Sequence, residues 1–99
     1  MPSYIFTKKA VDDLSRIWDY TFDNWSEDQA DKYYYQILKT CEDIGLKKLS
    51  GKKYPEVHPE VLGYRTGQHI IFYRRTKAGL AEIARIIHSR MDLRNRFEE

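Results

Sequence analysis

Ninety-nine residues suit one domain and leave no room for two, so residues 1–99 are read as a single unit. With 41% hydrophobic and 14% aromatic residues the composition is that of a globular chain able to bury one core, not of a disordered one. Cys41 is the only cysteine, which excludes an intramolecular disulfide, and without a CxxC or Cys/His cluster neither a structural metal nor a cofactor is expected.

The N-terminal stretch MPSYIFTKK lacks the apolar segment of a signal peptide. No apolar run approaches the ~18 residues of a membrane span, so the expectation is a cytoplasmic protein with no membrane partner. Ser3–Thr7 (SYIFT) alternates and is rich in β-formers, which predicts a short first strand, with Thr7 capping the helix that follows. From Ala10 the apolar positions Val11, Leu14, Ile17, Trp18, Thr21, Phe22 and Trp25 follow helical spacing, and Asp12, Asp13, Arg16, Asp19 and Asp23 fill the other face. Trp18 and Trp25 are expected in the core of the resulting hairpin. Ser26 with Gln29 three residues on is a capping-box pattern, and Glu27 and Asp28 suit the helix dipole in the first turn.

The second helix carries Ala30, Tyr33, Tyr34, Ile37, Leu38, Cys41 and Ile44 on one stripe and stops at Gly45. The Tyr33-Tyr34-Tyr35 run reads as core plus one exposed ring. With only Trp25–Ser26 between them, the two helices should form an antiparallel hairpin. Residues 46–60 are loop-like, broken by Gly51, Pro55 and Pro59, although a helix through Leu46–Leu49 stays open. Strands are expected at 61–66, 69–75 and 80–88, with turns at Gly67 and Thr76–Gly79, and a short helix from Asp92. The order β-α-α-β-β-β implies an α+β fold: an antiparallel sheet with a helical hairpin on one face and the other face left to a partner.

Charge is divided along the chain. Residues 10–44 hold three basic residues against nine acidic ones, and residues 61–96 hold eight basic against two acidic. That split suggests a basic surface meeting an acidic partner, or two solvated faces of opposite sign.

Four segments together resemble one known family. Ala10, Asp13, Leu14, Ile17, Trp18 and Tyr20 form the set A-x-x-D-L-x-x-I-W-x-Y; WSEDQADKYY covers residues 25–34; GYRTGQHIIFYR covers 63–74; and IARIIHSRMD covers 83–92. This pattern is similar to ParE-type toxins of the RelE/ParE toxin–antitoxin superfamily, and the likeness spans nearly the whole chain. Two departures stand out: Gly63-Tyr64-Arg65 runs almost directly into Gly67, and Leu49-Ser50 precede Gly51 where a proline is usual. The resemblance implies a small α+β toxin with no catalytic residues, inhibiting DNA gyrase and held inactive by a ParD-like antitoxin in a hetero-oligomer. Candidate gyrase contacts are Arg85, His88, Arg90, Met91, Asp92 and Arg94. Candidate antitoxin contacts are Tyr64, Arg65, His69, Tyr73 and Arg74.

Two other classes remain. A ribosome-dependent mRNA endoribonuclease on the same fold needs a base, cations and an acid around a phosphate. His69, Tyr73, Arg74, Arg85, His88 and Arg90 are the candidates, and the tail after His88 supplies no Tyr or His. A nucleic-acid-binding module would use the basic half alone. Alternation along the last strand puts Arg85 with Ile83 on one side and His88 with Ile86 on the other. Arg85, set among apolar residues, must be ion-paired or face outward to a partner.

Overall fold

The computed structural model describes residues 3–99. A first strand, β1 (Tyr4–Phe6), leads into two helices, α1 (Lys8–Asn24) and α2 (Glu27–Gly45). Four further elements form the rest of the sheet and one closes the chain: β2 (Lys52–Lys53), β3 (Leu62–Thr66), β4 (His69–Arg75), β5 (Ala81–His88) and a short helix α3 (Leu93–Glu98). The sheet order is β1-β5-β4-β3-β2.

Both helix starts follow the caps expected from sequence. The Thr7 hydroxyl accepts the Ala10 N–H at 3.1 Å and the Ser26 hydroxyl accepts that of Gln29 at 3.1 Å. Each cap satisfies an N–H that the helix itself leaves free. Trp25 and Ser26 alone separate the helices, so α1 and α2 lie as an antiparallel hairpin on one face of the sheet. At the far end of α2, Arg75 donates to the Ile44 carbonyl at 2.6 Å, so a sheet cation neutralises the negative end of the helix. The end of α2 also lies directly against the start of β1: a Cβ on Gly45 would sit 2.4 Å from the Ser3 carbonyl oxygen.

Two apolar clusters sit on opposite faces of the sheet. Leu14, Ile17, Ile37, Cys41 and Ile44 of the helices meet Ile71, Tyr73, Ile83 and Ile86 of the strands. On the reverse side Ile70, Phe72 and Ile87 are covered by Val57 and Val61 of the long loop and by Leu93 and Phe97 of α3. The expected open face is therefore closed by the chain itself. Phe72 is fully buried, with Tyr54 and Phe97 both edge-on to its ring, at 5.2 and 5.8 Å.

The sheet is not wholly antiparallel, because β1 runs parallel to β5. The two strands are not consecutive: both helices and strands β2–β4 lie between them, which supplies the long connection a parallel pair requires. The Thr66–His69 turn is the tight hairpin expected, with Gly67 at φ 56°. A Cβ there would lie 2.6 Å from the Tyr33 ring, so both backbone conformation and space select glycine. A register shift between Phe72 and Tyr73 breaks the simple alternation of β5. Tyr73 pairs with Ile83 and Phe72 with Arg85, which leaves Ala84 as the extra residue of a bulge. Arg85 thus leaves the side of Ile83, against the alternation expected, while Ile86 stays on the helix side with Ile83.

Trp25 was expected in the core and is instead 68% exposed. It lies at the helix junction, where the apolar stripe of α1 has run past the edge of the sheet. The tyrosine run is as read: Tyr33 and Tyr34 border the core and Tyr35 is exposed. Among the described residues, no helix is long and apolar enough to cross a membrane.

Candidate functional site

Where β1 ends and the chain turns into α1, the outer edge of β5 loses its neighbour. Two side chains take over that edge. Thr7 Oγ1 donates to the Ala84 carbonyl at 2.8 Å, and Asp13 Oδ2 accepts the Ile86 N–H at 3.0 Å. Asp13 also binds Arg85 in a two-pronged pair, Nε to Oδ2 at 2.8 Å and Nη2 to Oδ1 at 2.9 Å. The remaining Arg85 nitrogen, Nη1, donates to the carbonyls of Arg96 and Phe97 in α3. Both side chains are about 8% exposed. The carboxylate holds the guanidinium above its ordinary pKa, despite the opposing effect of burial. Arg85 is thus a tie between α1, β5 and α3. The sequence left ion pair and partner contact open, and the structure selects the ion pair, so Arg85 offers no surface to gyrase.

Beside this tie opens a cleft of about 660 Å³. Ile17 and Tyr20 of α1, Trp25 at the junction and Tyr33 of α2 form one side; Ile86 and His88 of β5 and Met91 form the other. His69 and His88 pair across β4 and β5, their rings 5.2 Å apart and nearly perpendicular. The Tyr33 hydroxyl lies 2.6 Å from His69 Nδ1, accepts the Gln68 N–H at 3.1 Å and stands 3.3 Å from the Thr66 carbonyl. The Tyr33 hydroxyl has one proton for two acceptors, the Thr66 carbonyl and His69 Nδ1, so the tautomer of His69 sets the direction of the short contact. Burial, helped by His88, pushes His69 down to about 4. Burial likewise raises the Tyr33 phenol. His88 Nδ1 accepts the Arg90 N–H at 3.1 Å.

The remaining gyrase candidates divide into two groups. His88, Arg90 and Met91 line the cleft, with Arg90 and Met91 exposed. Asp92 instead caps α3, accepting the Asn95 N–H at 3.3 Å. Arg94 is exposed, 3.7 Å from Glu98 and away from the cleft.

The antitoxin candidates are not brought together. His69 lies in the cleft, and Arg65 is exposed beside the Gly67 turn with Nε on the Gly67 carbonyl at 3.2 Å. Tyr64 is half-buried against the helix-side core. Arg74 lies towards the opposite end of β4, 3.8 Å from Glu82. Tyr73 is 1% exposed, and its hydroxyl accepts the Gly51 N–H at 2.7 Å, so it anchors the long loop and offers no contact surface.

Sequence reading missed Arg16, Tyr20, Trp25 and Tyr33 as parts of this cleft. Tyr20 is 62% exposed, and its standing outside the apolar stripe of α1 was the one available signal.

The chain matches the family model described as the ParE toxin of the type II toxin–antitoxin system parDE over residues 4–93. Toxin ParE1 of Mycobacterium tuberculosis is 31% identical over 90 residues, covering 91% of this chain and 92% of that one. Toxin ParE1 of Caulobacter vibrioides is 33% identical over 98 residues, covering 95% and 96%. A solved structure from the chromosomal ParDE TA system of P. aeruginosa shares the fold, with a TM-score of 0.69 at 22% identity over 84% of this chain and 90% of that one. The family model extends from β1 to the first residue of α3 and the relatives align nearly end to end, so the chain belongs to the ParE family of type II toxins.

Proposed function

We propose that the protein acts by binding and inhibiting DNA gyrase, without chemistry of its own, and that a ParD-like antitoxin holds it inactive in a hetero-oligomer. Membership of the ParE family supports this reading. The disposition of the polar groups adds to it. Arg85 is bound to Asp13 and His69 Nδ1 to Tyr33, while Arg90 and Met91 stand exposed at the mouth of the cleft. Arginine beside an adaptable apolar side chain is a common composition for a contact hot spot. His88, Arg90, Met91 and Arg94 are the contacts proposed for gyrase, with Asp92 shaping the segment as the cap of α3.

The test is gyrase supercoiling of a relaxed plasmid with and without the protein, scoring both inhibition and trapped cleaved DNA. Inhibition at near-stoichiometric protein, reduced at least tenfold by Arg90→Glu, is the expected result. Folded protein that leaves gyrase untouched but yields cleaved mRNA on ribosomes would replace this reading with the ribonuclease.

A further inference from the structure

We propose that the cleft between α1 and the end of β5 is a binding site for a nucleoside phosphate, with the base laid on Trp25 and Tyr20 and the phosphoryl oxygens held by Arg16 and Arg90. The inference stands apart from the gyrase and antitoxin readings, because it concerns a small ligand of the isolated chain.

The cleft has the volume of a small-ligand site, about 660 Å³, within the range of about 300–1,000 Å³ usual for such pockets. Part of its lining is aromatic. Trp25 and Tyr20 are 68% and 62% exposed. Their rings stand 6.1 Å apart with planes tilted by 57°, so neither covers the face of the other. The cations that lie over aromatic rings, Lys52 and Arg75, cover Tyr54 and Tyr73 instead. Among the described residues both faces therefore stay open to a planar ligand, and every nucleobase offers a π-face to such a platform. The exposed side-chain amides of Gln29 and Gln68 stand in the same lining, each with donors and an acceptor that match the polar edge of a base.

The rest of the lining suits an anion. Arg16, Arg90 and Arg96 stand around the opening. Arg96 pairs with Glu99 at 3.4 Å, but among the described residues no carboxylate pairs with Arg16 or Arg90. Asp13 is the one carboxylate of the lining, and its oxygens are taken by Arg85 and the Ile86 N–H. His88 Nδ1 accepts the Arg90 N–H at 3.1 Å, so the neutral ring keeps its proton on Nε2 and adds a donor to the site. A guanidinium fork matches two phosphate oxygens. A pyrophosphate group carries oxygens for both free arginines, which a single carboxylate does not.

A long nucleic acid fits poorly. The hairpin that walls the cleft carries exposed Asp19, Asp23, Glu27 and Asp28 near the same tip, so a strand leaving on that side would run against a row of like charges. A free nucleotide ends before that tip.

The experiment titrates ADP into the full chain by calorimetry, without gyrase or antitoxin, with adenosine and inorganic pyrophosphate as partial ligands. The variants are Arg16→Glu, Arg90→Glu and Trp25→Ala, with Tyr35→Ser as the control, since Tyr35 is exposed and outside the cleft. Far-ultraviolet circular dichroism and thermal melting establish that each variant is folded. The expected result is one ADP per chain, weakened about tenfold by each cleft substitution and unchanged by the control. Adenosine and pyrophosphate should each bind at least about tenfold more weakly than ADP. No binding of ADP at about millimolar concentration overturns the inference, as do folded cleft variants with wild-type affinity. Adenosine that matches ADP removes the arginines from the site, and pyrophosphate that matches ADP removes the rings; either result overturns the assignment. A single-stranded oligonucleotide that binds more tightly than ADP would replace the nucleotide with a nucleic acid.

Discussion

Asp13 shows how one side chain can join two elements. It accepts two hydrogen bonds from Arg85 and one from the Ile86 backbone, at the point where β5 has lost β1 as a neighbour. Truncating one partner of a buried pair leaves the other charge uncompensated, which costs about 3–5 kcal/mol. Small domains have only about 5–15 kcal/mol in total. Asp13→Ala is therefore expected to move the urea midpoint sharply down, whereas a shift of under about 1 kcal/mol would mean that Arg85 finds another partner. On the sequence Asp13 is one of five charged residues opposite the apolar stripe, and nothing local separates it from Asp12. Its partner lies 72 positions away, on a strand whose bulge reverses the expected facing of Arg85. His69 gives a second test at this scale. Its pKa falls to about 4 from the ordinary 6.5, first through burial and then through His88. The unfolded chain binds that proton more readily, so the stabilisation is complete above about pH 6.5 and is lost as pH falls towards 4. The ring is only half-buried, and screening limits the loss between about pH 7 and pH 5 to the order of 1 kcal/mol. Urea unfolding at the two pH values should show this increment in the native protein and not in His69→Gln. Equal slopes would remove the histidine from the account.

The elements themselves were largely legible. Thr7 and Ser26 announce their helices, the residues of β4 are those expected, and the short helix expected from Asp92 is there, with Asp92 as its cap. These signals are local, resting on a cap, a period or a turn within a few residues. What escaped depends on neighbours. The two-residue β2 exists because Lys52 and Lys53 lie beside Gly63 and Leu62, and no periodicity can form over so short a span. Trp25 continues the period of α1 beyond the sheet, so the pattern holds while its burial does not. The role of α3 was hidden in the same way. The tail reads as polar and basic, yet Phe97 stands 5.8 Å from the ring of Phe72, and α3 carbonyls accept from Arg85. Phe97→Ala should cost about 1–2 kcal/mol, less than a fully buried phenylalanine because Phe97 is half-buried. Amide exchange can measure it: protection in β5 near Arg85 and Ile87 should drop, with α2 changing less. Unchanged protection in β5 would mean that α3 lies on the sheet without stabilising it. By the same packing, removing residues 91–99 would uncover Phe72 and strip Arg85 of two acceptors. Loss of activity in such a truncation would report on folding as well as on contact, so point substitution of Arg90 is the sharper probe.

Across the whole molecule the two charge blocks of the sequence become two regions. The helical hairpin carries the acidic block, and the strands with the segment after β5 carry the basic one. The cleft lies on the boundary, its hairpin wall supplying apolar and aromatic groups and its far rim supplying Arg90 and Arg96. A partner with acidic residues is drawn to one side of this dipolar surface and repelled from the other, so charge would orient the encounter before any apolar contact forms. Such steering raises association rates and is screened once the Debye length shrinks, from about 10 Å at 0.1 M salt to about 3 Å at 1 M. Dissociation depends instead on the desolvated contacts of the formed complex and is less sensitive to salt. The association rate of the antitoxin should therefore fall at least about tenfold between 0.05 and 0.5 M sodium chloride while the dissociation rate changes by less than about threefold. Arg90→Glu should flatten the salt dependence of association. An association rate indifferent to salt would mean that the segregated charge serves solubility alone and that apolar complementarity selects the partner unaided.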